Sequence, residues 1–121
     1  MIMIAGHVHL DPADVSEFMA DAQATYPVAA ANPGNILLSF AVDNAERGTV
    51  TVLEEWKSTD ALAAHLAAHQ VQQIFAKWTA RMRNEVRMFD AMNERDLGHT
   101  ELLSTGAFRS WPGLAWPCAG S

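Results

Sequence analysis

Cysteine is nearly absent from the sequence: Cys118 is the only one in 121 residues. A single thiol excludes an intramolecular disulfide and any metal site built from several cysteines, and a position near the end of the sequence is a poor one for a nucleophile. A reducing, cytoplasmic setting is expected. Positive charge is scarce as well. Eight Lys and Arg stand against fourteen Asp and Glu, a formal net charge of −6, and the basic residues cluster only at Arg81, Arg83 and Arg87. That balance argues against nucleic acid or an anionic membrane as partner. No stretch approaches the ~20 apolar residues of a membrane span, and the apolar start of the sequence lacks the basic region and cleavage site of a secretory signal. Apolar residues are abundant: they make up 50% of the sequence against 18% charged, the composition of a domain with a packed core. The length gives room for one such domain.

Ile2 to Leu10 is rich in Ile, Val and Met and is too short for a typical helix before its stop, so it is expected to be a strand. Asp11 suits an N-cap and Pro12 a first helical position; Val15, Phe18, Met19, Ala22 and Tyr26 then recur along one helical face, which predicts an amphipathic helix ending near Pro27. Asn32-Pro33-Gly34-Asn35 is a turn signal. Ile36 to Asp43 and Thr49 to Trp56 are strand-like and joined by a short polar link, the pattern of an antiparallel hairpin. Ser58 or Thr59 caps a further helix, whose stripe of Val71, Ile74, Phe75, Trp78 and Met82 implies continuation with a break near Ala67 to His69. Glu85 to Met92 alternates like a last strand.

The order β-α-β-β-α-β predicts an α+β, ferredoxin-like fold: a four-stranded antiparallel sheet with helices on one face. The other face should be polar if it meets water. Instead Ile2-Met3-Ile4, Ile36-Leu37-Leu38, Val52-Leu53 and Met88-Phe89 put apolar side chains on both faces, so a homodimer packed sheet to sheet is expected. The domain is expected over residues 1–92. Residues 93–121 differ in kind, with Gly, Ser and Pro among Leu102, Leu103, Phe108, Trp111, Leu114 and Trp116, and read as a C-terminal arm or tail.

The Leu53-Glu54-Glu55-Trp56-Lys57-Ser58 segment, the run through Ala64-His65-Leu66-Ala67-Ala68-His69 and the Pro-Gly turn before the second strand resemble the antibiotic biosynthesis monooxygenase family over Met1 to about Met92. The resemblance implies a dimeric α/β barrel with a pocket between the sheet and helices of each subunit. It also implies oxygenase chemistry on a quinol, phenol or polyketide-like aromatic and O₂, with no metal or flavin cofactor. A deprotonated quinol or phenol can itself pass an electron to O₂, so the protein needs one base and apolar walls. A non-catalytic dimeric module binding a small hydrophobic ligand is the alternative.

His65 matches the histidine that quinol-oxygenase-like members place on this helix, and its ordinary pKa of ~6.5 suits proton transfer near neutrality; it is the expected catalytic base. His69, four residues on, departs from the family's spacing and is a substrate-binding candidate with Trp56, Glu54, His7, Phe75 and Trp78. Glu54 and Trp56 alternate on one strand and so share a face. An inward Glu54 needs a partner, with His65 or an arginine as the candidates. His7 and His9 share a face of the first strand, but no metal is expected: their spacing has no ligand signature, and no glutamate follows His65 as in the hydrolytic zinc motif. Heme degradation is not expected, because members of the heme-degrading branch resemble one another in an Asn, a Trp and an axial His where this sequence has His7, His65 and Phe75. Arg81, Arg83 and Arg87 read as a solvated face, with an oxyanion-stabilising arginine as the alternative.

Overall fold

The computed structural model of the protein describes residues 1–98. The apolar positions of the expected arm, Leu102 to Trp116, and Cys118 lie outside the described residues. The chain divides into two compact units, Met1–Ala91 and Met92–Ser121, and every described strand and helix belongs to the first.

Strand β1 runs Ile2–Leu10, β2 Asn35–Asn44, β3 Thr49–Trp56 and β4 Met82–Asp90; helices α1 (Val15–Gln23) and α2 (Tyr26–Ala30) follow β1, and α3 (Thr59–Ala67) and α4 (His69–Trp78) follow β3. The strands form one antiparallel sheet in the order β2-β3-β1-β4, the ferredoxin-like arrangement. Its two central strands are therefore the first and third in sequence. Register shifts mark both ends of the β2 pairing, between Asn35 and Leu37 and between Val42 and Asn44. No helix among the described residues is long and apolar enough to cross a membrane.

Local chemistry sets the element boundaries. Asp11 accepts a bond from the Ala13 amide at 2.9 Å and opens a short 3₁₀ turn, Pro12–Asp14, before α1. The helix expected to end near Pro27 ends instead at Gln23, and Pro27 falls in the first turn of α2, which begins at Tyr26, because a residue without an N–H fits there. Ser58 caps α3 by accepting from the Ala61 amide at 3.1 Å. The expected break falls at Ala68, whose extended backbone (φ −61°, ψ 134°) separates α3 from α4. The last strand begins three residues earlier than its alternation suggested, at Met82, after a 3₁₀ turn, Thr79–Arg81. Met82 is therefore no part of the helical stripe, yet it still faces the core, opposite Leu10.

The helix-facing side of the sheet carries two groups of buried side chains. One gathers Val8, Leu10, Val15, Phe18, Val50, Val52 and Trp78. The other gathers Ile2, Ala29, Trp56 and Leu62. Trp56, Trp78 and Val50 are fully buried; each such side chain removed from water contributes roughly 1.5–3 kcal/mol. Trp78 is clamped from both sides. Phe18 meets it edge-on at 5.4 Å, Arg81 lies 4.1 Å from its ring centre, and its indole N–H donates to Asp21 at 2.9 Å. Asp21 also takes a bond from Lys77 at 2.7 Å, and these two donors hold its carboxyl below the usual carboxylate range.

Gly6, in the middle of β1, has φ +152°, and a Cβ there would lie 2.1 Å from the Glu85 carbonyl oxygen of β4. Only glycine fits such a position. The central strand thus carries no side chain between Ile4 and Val8 on the side that faces the helices.

Candidate active site

A cavity of about 180 Å³ lies between the sheet and the helices, in the gap between the two buried groups. Its floor surrounds Gly6. Ile4 and Val8 stand two residues to either side, and Val52 and Val86 are its cross-strand partners; all four line the cavity. Phe18, Ile74 and Trp78 form the wall from α1 and α4, while Leu66 and Phe75, 40% and 45% exposed, form a rim. The hollow exists because a row of the sheet lacks a side chain.

The titratable groups stand at one end. Glu54 and Trp56 share the helix-facing side of β3, and the indole N–H donates to Glu54 Oε1 at 3.0 Å. His65, one turn and a half into α3, is 5% exposed, and its ring centre lies 4.7 Å from that of Trp56. One indole therefore braces both proton carriers. The start of α3 is pinned by the preceding turn: Asn32 Nδ2 donates to the Ala61 carbonyl at 2.9 Å, and the Lys57 amide donates to the Gly34 carbonyl at 2.8 Å.

Burial sets the charge of these groups. Desolvation pushes the Glu54 carboxyl up from its ordinary value of 4.5, against the smaller opposing effect of the Trp56 hydrogen bond. Desolvation pushes His65 down from 6.5. Its Nδ1 is buried with no hydrogen-bond partner. Near neutrality the imidazole is consequently an uncharged ring with one unpartnered nitrogen. The site can hold an apolar ring with one polar edge and can accept a proton from it.

The structure brings together five of the residues expected at a site. Glu54, His65, Phe75 and Trp78 line the cavity, and Trp56 stands behind it, touching Glu54 and His65 without forming wall. His7 and His69 lie elsewhere. The parity of β1 turns Val8 and Leu10 inward, so His7 lies on the opposite side of the sheet with His9, 6.4 Å away between ring centres. Ala68 breaks the helix, so His69 opens α4 in an exposed position instead of following His65 on one face. The carboxyl partner of Glu54 is the Trp56 indole, not His65 or an arginine. No arginine lines the cavity among the described residues: Arg83 and Arg87 pair in register with His9 and Ala5 on the open side, and Arg81 covers the outer surface of Trp78. The described residues contain no group of three or more His, Cys, Asp or Glu able to hold a metal ion. Thr25, Asn84 and Val86 also line the cavity and were not singled out in the sequence; the inward alternation of Met82, Asn84 and Val86 would have found the last two had the strand start been placed at Met82.

A four-stranded sheet roofed by helices over a largely apolar cavity defines a ferredoxin-like domain of the α+β class. The model of the antibiotic biosynthesis monooxygenase family matches residues 1–77, and the chain belongs to that family. Solved structures share the fold. A Deinococcus radiodurans protein assigned by name to the same family is 15% identical with a TM-score of 0.71, covering 82% of this chain and 100% of its own. A Caulobacter crescentus protein, likewise so assigned, is 24% identical with a TM-score of 0.62, covering 76% and 90%. A Mycobacterium tuberculosis protein is 16% identical with a TM-score of 0.67, covering 78% and 98%. No curated protein matches the sequence.

Proposed function

We propose that the protein is a cofactor-independent monooxygenase that deprotonates a quinol, phenol or polyketide-like aromatic in the cavity and lets the anion react with O₂. The observation that supports this best is His65: an imidazole kept neutral by desolvation, whose ring lines an apolar hollow and whose buried Nδ1 has no hydrogen-bond partner. A base must be unprotonated before it acts, and burial ensures that at pH 7. The substrate hydroxyl gives its proton to the imidazole, and the imidazolium so formed stays beside the anion it created. Apolar walls keep water from solvating that anion, which leaves it electron-rich enough to reduce O₂. One oxygen atom then enters the substrate and the other leaves as water, the electrons for both coming from the substrate. Glu54, whose carboxyl desolvation raises above its ordinary value, holds the polar edge of the substrate at the same end of the cavity.

The same proposal has the enzyme work in the cytoplasm as a homodimer joined through the open sheet faces. Met3, Leu37, Leu53 and Phe89 gather on adjoining register rows of that face, and Phe89 is 52% exposed. The other half of the face is polar, with His7, His9, Arg83 and Glu85, so the apolar contact is expected to centre on one end.

Oxygen uptake with a panel of hydroquinones and anthrones tests the chemistry. Uptake is expected with at least one substrate, and His65→Ala is expected to reduce it about 100-fold or more, the range that a positioned base contributes. Saturable ligand binding with no uptake from any substrate would move the assignment to a non-catalytic binding module, for which apolar walls alone suffice.

A further inference from the structure

We infer that the cavity selects a small, uncharged, single-ring phenol or hydroquinone and excludes both fused tricyclic aromatics and aromatic carboxylates. The inference rests on the cavity being the substrate site, and it narrows the ligand by size, by charge and by the placement of its polar edge.

Size follows from the hollow over Gly6. Its volume is about 180 Å³, and a dry protein cavity of about 150 Å³ accepts one benzene. The surplus is room for a hydroxyl and a methyl group or two. The buried walls, Val52 on a central strand with Phe18 and Trp78 in edge-to-face contact, leave no space for a second and third ring, which would have to project past the Leu66 and Phe75 rim into water. Close-packed cores resist expansion.

Charge follows from what the lining lacks. No Lys or Arg faces the cavity among the described residues. An incoming carboxylate would lose its hydration and find no fixed cation, a steep penalty in an apolar site. A phenol enters neutral and is ionised only after it meets the base.

Polarity is concentrated at one end, and most of the other polar lining groups are already engaged. The Thr25 hydroxyl donates to the Ala22 carbonyl at 2.6 Å, the Trp78 indole donates outward to Asp21, and Asn84 Oδ1 accepts from the Val86 amide at 2.9 Å. What remains is the His65 imidazole and the second oxygen of Glu54 at one end, both contacting Trp56, and the Asn84 amide nitrogen toward the Val8 end. A single ring with a hydroxyl at the His65 edge, alone or with a second hydroxyl toward Asn84, satisfies that pattern.

Anaerobic calorimetry with the full chain tests this, using p-cresol, 4-hydroxybenzoate and anthrone, so that binding is read without turnover. Saturable binding of p-cresol is expected, with 4-hydroxybenzoate and anthrone each at least tenfold weaker. Methyl NMR needs no variant and locates the ligand: p-cresol is expected to shift the methyl signals of Val52 and Val86, which flank Gly6. Equal or tighter binding of anthrone or of 4-hydroxybenzoate, no binding of p-cresol, or shifts confined to other methyls would each overturn the inference. Its failure is separable from that of the oxygenase assignment. p-Cresol binding in a protein that consumes no oxygen with any substrate leaves the ligand class standing and removes the oxygenase, whereas oxygen uptake with a tightly bound anthrone does the reverse.

Discussion

The contact between Trp56 and Glu54 lends itself to a double-mutant cycle, because each partner alone leaves the other stranded. In Glu54→Leu the indole N–H of a fully buried tryptophan loses its acceptor, a desolvation penalty of about 1–3 kcal/mol. In Trp56→Phe the carboxyl loses its donor, worth roughly 1 kcal/mol, and the smaller ring leaves a void. That void is a fraction of the ~3–5 kcal/mol expected for truncating such a residue to alanine. In the double variant neither polar group remains, so both stranding penalties vanish and only the packing loss persists. The expected coupling is about 2–4 kcal/mol, the sum of the two stranding terms, with the double variant more stable than the sum of the single changes predicts. Urea unfolding at pH 7, with slopes checked for equality across the four proteins, measures it. A coupling below about 0.5 kcal/mol, the level of independent sites, would refute the idea that one indole holds the carboxyl at the cavity end.

Other perturbations probe the same frame. Gly6→Ala must displace the β4 backbone, since its Cβ would stand 2.1 Å from the Glu85 carbonyl oxygen, and a loss of about 2 kcal/mol or more in urea unfolding is expected; an unchanged midpoint would contradict the assigned geometry. Because the folded state lowers the His65 pKa below 6.5, the unfolded chain binds more protons as pH falls. Stability is therefore expected to be full above 6.5 and to decline below it toward the lowered folded value, and His65→Phe should remove that part of the pH dependence; unfolding curves at several pH values for both proteins decide the point. Leu53→Glu, on the open sheet face, is expected to shift sedimentation from dimer to monomer while leaving the secondary structure intact, and a wild-type protein that sediments as a monomer would remove the basis for that expectation.

Much of the frame was legible because each strand ends at a residue with a physical reason to end it. Leu10 is followed by an N-cap and a proline, and Trp56 precedes Ser58, which caps α3. Alternation alone put Glu54 beside Trp56. Alternation could not say which way His7 points, because β1 is apolar at successive positions, Ile2, Met3 and Ile4, and only the inward burial of Val8 and Leu10 fixes its parity. The spacing of His65 and His69 suits one helical face, but a single extended residue, Ala68, resets the phase and sends His69 to solvent. The partner of Glu54 was hidden for a different reason. An indole N–H two residues away on the same strand takes the place of the histidine on the facing helix, and no one-dimensional pattern records how far the two rings stand apart. The hollow itself is the least readable feature: a glycine within a strand announces a missing side chain, but the volume above it depends on how closely α1 and α4 settle.

The strand order has one more effect, on growth of the sheet. Among the described residues β2 and β4 are the flanks, each bonded along one side only. β4 carries Arg83, Glu85, Arg87 and Asp90, and β2 is kinked out of register at both extremities. Charge on one flank and irregular pairing on the other discourage a neighbouring molecule from adding strands laterally. A domain with half its residues apolar is thereby steered away from fibre-like stacking.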